Sequence, residues 1–328
     1  MPEGPEVRRH ADRLAVILTD EPVAELWART KAAKAWLAEN QNALVGKRIQ
    51  SVRSHGKNLV GRIEGGFYFY SHLMMWGRWQ VFGPGEVPVE IDRRERARIT
   101  AATGATAVLF SAPVFEVGAG DPYEKYETLR ALGPDILPYP DEPPFEAAAF
   151  VARLQTPEHA ARTIGAALLD QTILAGVGNY LRAEILFQCR LDPWRLVADL
   201  TGGDLGRLNR VIPETAVCAY AAGGATVPDT ERERMKADPS LVYSNATGEW
   251  GMRHFVFRRT NLPCLVCGTP IRQKRQVTRQ LDDGGEKERI IYFCPACQQT
   301  TIDLAPARGK KRRGSDGVPG EERERAPR

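Results

Sequence analysis

The chain has 328 residues, 43% of them hydrophobic and 26% charged, the composition of a globular protein with room for two modest domains and smaller modules. No run of 18 apolar residues occurs, which excludes a helical membrane span from the expectation. The net charge of +4 comes wholly from 308–328, where eight Lys/Arg face four Asp/Glu; residues 1–307 balance at 37 against 37, so bulk basicity does not mark a nucleic-acid binder.

Taken in chain order, the first expected element is a helix from Pro5 to about Leu18. Proline suits a first helical position, and Val7, Ala11, Leu14 and Leu18 recur at helical spacing. From Leu44 to about Val117 the pattern changes to short β-rich stretches at 57–63, 67–70, 78–82, 97–101 and 107–110, which predicts an antiparallel sandwich or barrel. Residues 133–144 are rich in proline and read as a linker. Helices are predicted over 145–154, 159–174, 180–188 and 204–221, whereas 226–252 is polar and irregular and receives no assignment. The segment 308–328 has almost no large apolar side chains and is expected to be a disordered charged tail. The expected organisation is α+β: 1–135 an antiparallel β domain with an N-terminal helix, 136–252 helical, 260–300 a cysteine-bounded module and 304–328 the tail.

Six cysteines occur, and Cys189 and Cys218 lie in apolar helical surroundings that suit core thiols. Cys264-Leu-Val-Cys267 and Cys294-Pro-Ala-Cys297 are different. Each pair sets two thiolates on one knuckle, and two knuckles supply the four-sulfur tetrahedron that zinc favours. With all four positions taken by protein, one structural Zn2+ is expected. The 26 residues between the knuckles fit a hairpin, 271–281 and 289–293 around a turn at 282–285. Two disulfides would need an oxidising compartment, yet no basic segment followed by an apolar one opens the chain, so a cytoplasmic, non-secreted location is expected. Arg272, Lys274, Arg275, Arg279, Lys287 and Arg289 crowd the hairpin, and a phosphate partner or a solvated face explains them equally well.

The N-terminus, Met1-Pro2-Glu3, is by itself an ordinary translation start. Removal of Met1 would nevertheless expose the secondary amine of Pro2, which can attack a sugar C1′ to form an iminium ion. The positive end of the first helix and a nearby lysine would lower the amine's pKa, and Glu3 stands beside it to move a proton.

Three separated segments now combine: Pro2-Glu-Gly-Pro-Glu6-Val-Arg-Arg, Leu168-Leu-Asp-Gln-Thr through Gly176-Val-Gly-Asn179-Tyr-Leu-Arg-Ala-Glu to Phe187, and the four-cysteine module. Together they resemble the formamidopyrimidine-DNA glycosylase / endonuclease VIII family over residues 2 to about 299, and the second segment resembles the endonuclease VIII branch more closely. The resemblance implies a β-sandwich domain, a helix-two-turns-helix domain and a zinc-finger hairpin. It implies a monomeric base-excision repair enzyme on damaged duplex DNA, a glycosylase that removes oxidised bases, pyrimidines above all, and cleaves the strand by β,δ-elimination. Residue by residue, Pro2 matches the Schiff-base nucleophile, Glu3 the proton donor and Lys57 the lysine assisting β-elimination. Asn179 matches a phosphate contact at a helix start, where open backbone N–H groups and the helix dipole favour an anion. Arg289, five residues before Cys294, matches the arginine that contacts phosphate and aids δ-elimination. His72-Leu-Met-Met-Trp-Gly77 matches the loop that fills the gap left by a flipped nucleotide, with Met74 as an apolar wedge, although such residues at strand ends are more often core. Ala131 stands where the family usually has an arginine, with Arg130 next to it. Other readings remain open: the same fold acting on oxidised purines or mainly on abasic sites, or a non-catalytic binder of damaged DNA. Base preference is expected to depend on loops near 243–252.

Overall fold

The structure is a computed structural model that describes residues 2–87, 92–243, 251–280 and 282–302. Helix α1 (Gly4–Leu18) is as predicted, with Val7, Ala11, Leu14 and Leu18 all buried. Glu3 is its N-cap, and the Glu3 N–H donates to Glu6 Oε2 at 2.9 Å, closing a capping box. The buried stripe of α1 packs into a core shared by two antiparallel sheets.

One sheet runs in the order β2 (Ile49–His55), β3 (Asn58–Ile63), β4 (Phe67–His72), β8 (Val114–Ala119). The other runs β1 (Val23–Ala28), β6 (Glu95–Ala101), β7 (Thr106–Phe110), β5 (Arg78–Phe82). Phe69 from one sheet meets Trp79 from the other, and Phe115 stacks on Phe69 at 6.2 Å. Gly61 leaves space for that layer, since a Cβ there would lie 2.0 Å from the Phe69 ring.

All five predicted stretches are strands, but β1, β2, β8 and helix α2 (Lys31–Leu44) were not foreseen. A register shift between Val23 and Glu25 breaks the alternation of β1. Helix α2 anchors through Ala33, Leu37 and Leu44 with Trp36 half-buried beside them, while Ala32, Ala35 and Ala38 are exposed, so the apolar stripe is thin and blurred. Lys57 is also displaced from its expected strand: Gly56, at φ +56°, makes the turn that carries it, and β3 starts at Asn58.

Short helices α3 (Pro122–Lys125) and α4 (Glu127–Arg130) lead into the proline-rich segment, which crosses to α5 (Ala147–Leu154). Then come α6 (Ile164–Ala167), α7 (Asn179–Gln188), α8 (Gly202–Ala221) and α9 (Asp229–Ala237). The continuous helix expected over 159–174 is broken. The N–H groups of Ile164 and Gly165 bond to Arg195 O and Pro193 O instead of to a preceding turn, and the Asp170 carboxylate accepts from the Thr172 N–H. Helix α9, in the unassigned stretch, buries only Met235 and so has no apolar stripe to read. In contrast α7 is buried all along, from Tyr180 to Phe187, including Arg182 and Glu184.

The predicted hairpin is present as β9 (Arg272–Gln280) and β10 (Glu286–Phe293), the second strand starting three residues earlier than expected. Ile271, Ile291, Cys264 and Cys294 join the hydrophobic core centred on α7, so this module packs as part of the helical half. The expected tail at 304–328 and most of the loops near 243–252 lie outside the described residues. No helix of the described residues is long and apolar enough to cross a membrane.

Because Leu14 is wholly enclosed between α1 and the sheets, Leu14→Ala is expected to lower unfolding free energy by about 2–5 kcal/mol. Urea denaturation with an unchanged m-value checks this.

Candidate active site

The chain start and the start of α7 form one unit. The Glu3 side chain, 1% exposed, turns into the protein and accepts three backbone N–H bonds there: Gly178 at 2.7 Å and Leu181 at 3.2 Å on Oε2, Tyr180 at 2.9 Å on Oε1. The open helix start expected beside Asn179 is therefore filled from within by a carboxylate, which satisfies the unpaired donors and faces the positive end of the helix. Gly178 is the N-cap and Asn179 the first helical residue. The Asn179 Oδ1 accepts from Arg182 Nη2 at 2.7 Å, which leaves its Nδ2 to donate.

Glycines allow this approach. A Cβ on Gly178 would lie 2.4 Å from Glu3 Cδ, and one on Gly56 would lie 2.8 Å from Gly176 N. The Gly4 N–H donates to Gly176 O at 2.9 Å. The turn carrying Lys57 is held by Asp135, whose carboxylate accepts from the Gly56 N–H at 2.7 Å. Lys57 Nζ donates to Val177 O at 2.6 Å, a carbonyl that also accepts from Gln171 Nε2 at 3.0 Å. Glu3, Lys57 and Asn179 thus meet at one place, with Pro2 next to Glu3 in the chain, although 120 residues separate Lys57 from Val177.

The electrostatics follow from burial. Burial raises the Glu3 carboxyl to about 7, with the Lys57 charge and the Tyr180 N–H opposing. Burial lowers the Lys57 amine; Glu3 opposes this and Arg289 adds to it. Arg289 itself is exposed on β10, so its charge reaches the site from the hairpin. Sequence reasoning gave no role to Glu6, Tyr180, Asp135 or His72. Glu6 accepts from the Glu3 N–H and from the Tyr180 hydroxyl at 3.0 Å, and burial raises its pKa. His72 has its pKa lowered by burial and by Lys57. Glu6 left a signal of its own, its capping-box position three residues after the N-cap, and Tyr180 and His72 lay inside the matched segments without an individual role.

The turn after β4 presents Met74, Met75 and Trp76 at 47%, 58% and 77% exposure, while Leu73 is buried and Met74 adopts a left-handed φ of 54°. These side chains stand in solvent and not in the core. On the hairpin module, the sulfurs of Cys264, Cys267, Cys294 and Cys297 lie within 4.8 Å of one another, with Cys264 to Cys297 at 3.9 Å and Cys267 to Cys294 at 3.5 Å. A tetrahedron with Zn–S bonds of about 2.3 Å has edges of about 3.8 Å, so this donor set fits a zinc ion.

Residues 1–112 match the Formamidopyrimidine-DNA glycosylase N-terminal domain and 132–230 the Formamidopyrimidine-DNA glycosylase H2TH domain. Endonuclease 8 of Escherichia coli O17:K52:H18 (strain UMN026 / ExPEC) is 30% identical over 298 residues, covering 91% of this chain and all of that one. The chain belongs to this family of DNA glycosylases of base-excision repair. Endonuclease 8 of Shigella sonnei (strain Ss046) is similar to the same extent. Among solved structures, a complex of the Lactococcus lactis Fpg with DNA containing an abasic site has a TM-score of 0.68 at 23% identity, covering 90% of this chain and 99% of that one. A structure of MutM with DNA containing carbocyclic 8-oxo-G has a TM-score of 0.67 at 22% identity, covering 91% and 100%. At these identities the two structures establish the shared fold.

Gly178→Ala is expected to push the Glu3 carboxyl off the helix start. Base release from a lesion-bearing duplex should fall at least about 100-fold, while circular dichroism shows a folded protein. Retained turnover would mean that Glu3 does not need this seat.

Proposed function

We propose that the protein is a bifunctional DNA glycosylase and abasic-site lyase that acts as a monomer on damaged duplex DNA. Oxidised pyrimidines are the favoured bases, following the endonuclease VIII-like segments at 168–172 and 178–184. The observation that carries this reading is the Glu3 carboxyl, buried on the start of α7 with its pKa raised to about 7 and Lys57 beside it. Such a group holds a proton near neutral pH and can give it up as a leaving group departs.

In the proposed cycle, Met74, with Met75 and Trp76, enters the gap left by the flipped nucleotide, where exposed apolar side chains cover unstacked bases. With Met1 removed, the neutral Pro2 nitrogen bonds to C1′ as the C1′–base bond breaks, the departing base taking the Pro2 N–H proton; the C1′–O4′ bond then opens, O4′ takes the Glu3 proton, and an iminium is left at C1′. The resulting iminium acidifies the C2′ proton; its removal, assisted by Lys57, expels the 3′ phosphate, and a second elimination, aided by Arg289, expels the 5′ phosphate. Asn179 Nδ2 and the Arg289 guanidinium bind backbone phosphates, which position the DNA without reading it. The four cysteines would hold one zinc ion that fixes the finger knuckles and takes no part in the chemistry.

Borohydride trapping on a thymine-glycol duplex tests the reading. A covalent protein–DNA species is expected, with the link at Pro2, and Pro2→Gly should reduce it at least about tenfold. Full trapping by protein that carries an extra N-terminal residue would move the nucleophile elsewhere. Cys294→Ser should release zinc and weaken DNA binding; a metal-free preparation of normal activity would refute the structural ion.

A further inference from the structure

Arg182 is an unusual side chain for its position. It lies one turn into α7, is 0% exposed, and among the described residues no carboxylate pairs with it. Its Nη1 donates to Gly165 O and Gln276 Oε1, both at 3.2 Å. Its Nη2 donates to Asn179 Oδ1 at 2.7 Å and Ile290 O at 2.9 Å. Nε is buried with no hydrogen-bond partner. Every hydrogen-bond acceptor is neutral, and the Glu3 charge supports the guanidinium only through space and is outweighed by burial, an arrangement that costs stability unless something else offsets it.

The four acceptors belong to α6, α7 and both hairpin strands, and two of them touch the proposed phosphate site. Asn179 is the helix-start amide, held by its oxygen so that nitrogen is left to donate. Ile290 directly precedes Ile291 and follows Arg289, and Gln276 sits opposite Arg289 in the strand register. The guanidinium therefore ties the hairpin segment bearing Arg289 to the start of α7. The Arg289 charge, on the exposed hairpin surface, depresses the basicity of both Lys57 and Arg182. An oxyanion bound over that surface would balance the buried charge.

We propose that Arg182 is a positioning residue, whose buried charge and four-way fork hold Asn179 and the Arg289 strand in the arrangement that receives a DNA phosphate. This rests on the phosphate roles proposed above for Asn179 and Arg289. It makes the seating of the finger and the phosphate site two readings of one side chain. Lysine cannot replace the fork, because a single ammonium does not span two pairs of acceptors.

The test uses full-length, zinc-loaded protein, with metal content and melting recorded for Arg182→Lys, Arg182→Gln, Asn179→Ala and the Arg182→Gln/Asn179→Ala pair. Binding is measured on an abasic-analogue duplex and products on a cleavable lesion duplex. Asn179→Ala and Arg182→Gln are each expected to weaken binding about tenfold, and the pair to weaken it little more than either alone. Arg182→Lys should regain most of the affinity, yet leave more β-elimination fragment and less of the gap with phosphate at both ends. Losses that multiply to about a hundredfold, with a wild-type product ratio, would make Arg182 a structural staple and overturn the inference alone. Wild-type binding by Asn179→Ala would overturn the phosphate reading and this inference with it. If Arg182→Gln does not fold, the product ratio of Arg182→Lys decides, and a wild-type ratio overturns the proposal.

Discussion

The seating of one carboxylate on one helix start organises this molecule. Glu3 is three residues from the chain start, yet its oxygens take the N–H groups of Gly178, Tyr180 and Leu181. A helix start offers unpaired donors and partial positive charge, and a buried carboxylate needs both. Each supplies what the other lacks. That bond set joins α1, which is rooted in the sandwich core, to α7, which is buried from Tyr180 to Phe187 in the second core.

The same union creates a chemical tension. Glu3, Glu6, Lys57 and Arg182 are held together with little water to screen them, so neither the acids nor the bases keep their ordinary pKa values. Burial is the largest cause in all four, and the opposite charges only moderate it. Lys57 also spends a hydrogen bond on Val177 O, the carbonyl between Gly176, which the bare Gly56 backbone approaches, and Gly178, which admits Glu3. Backbone positions thus set the spacing between acid and amine, and side-chain bulk would disturb it. Perturbed groups gathered at one place are a physical reason for placing chemistry there.

Much of this was legible in the sequence, and the parts that were not have common causes. The stripe of α1, five strands and the cysteine hairpin follow from periodicity and spacing that the fold obeys. Helix α2 and strand β1 escaped because a thin apolar stripe and a bulge erase the period. The helix expected over 159–174 failed because distant carbonyls at 193 and 195 claim its N–H groups, a tertiary effect that no local pattern carries. At the site, the cysteines were singled out by spacing, and Pro2, Glu3, Lys57 and Asn179 by the family resemblance that the motif order carries. The filling of the helix start by Glu3 was not visible, since it depends on a contact across 175 residues. Arg182 was hidden for the same reason: inside a helix it reads as a surface cation, and only the docked hairpin makes it a buried one.

The central claim is that Glu3 is a buried acid poised near neutrality by its seat on α7. The most direct measurement is a titration of 13C-carboxyl glutamate by NMR, with the Glu3 signal assigned through its loss in Glu3→Gln. The account predicts a midpoint of about 7, so that the group is mostly protonated below that pH and ionised above it. Lys57→Ala should move the midpoint higher, because the lysine charge favours the carboxylate. A midpoint near the ordinary glutamate value of about 4.3, unmoved by loss of Lys57, would contradict the account.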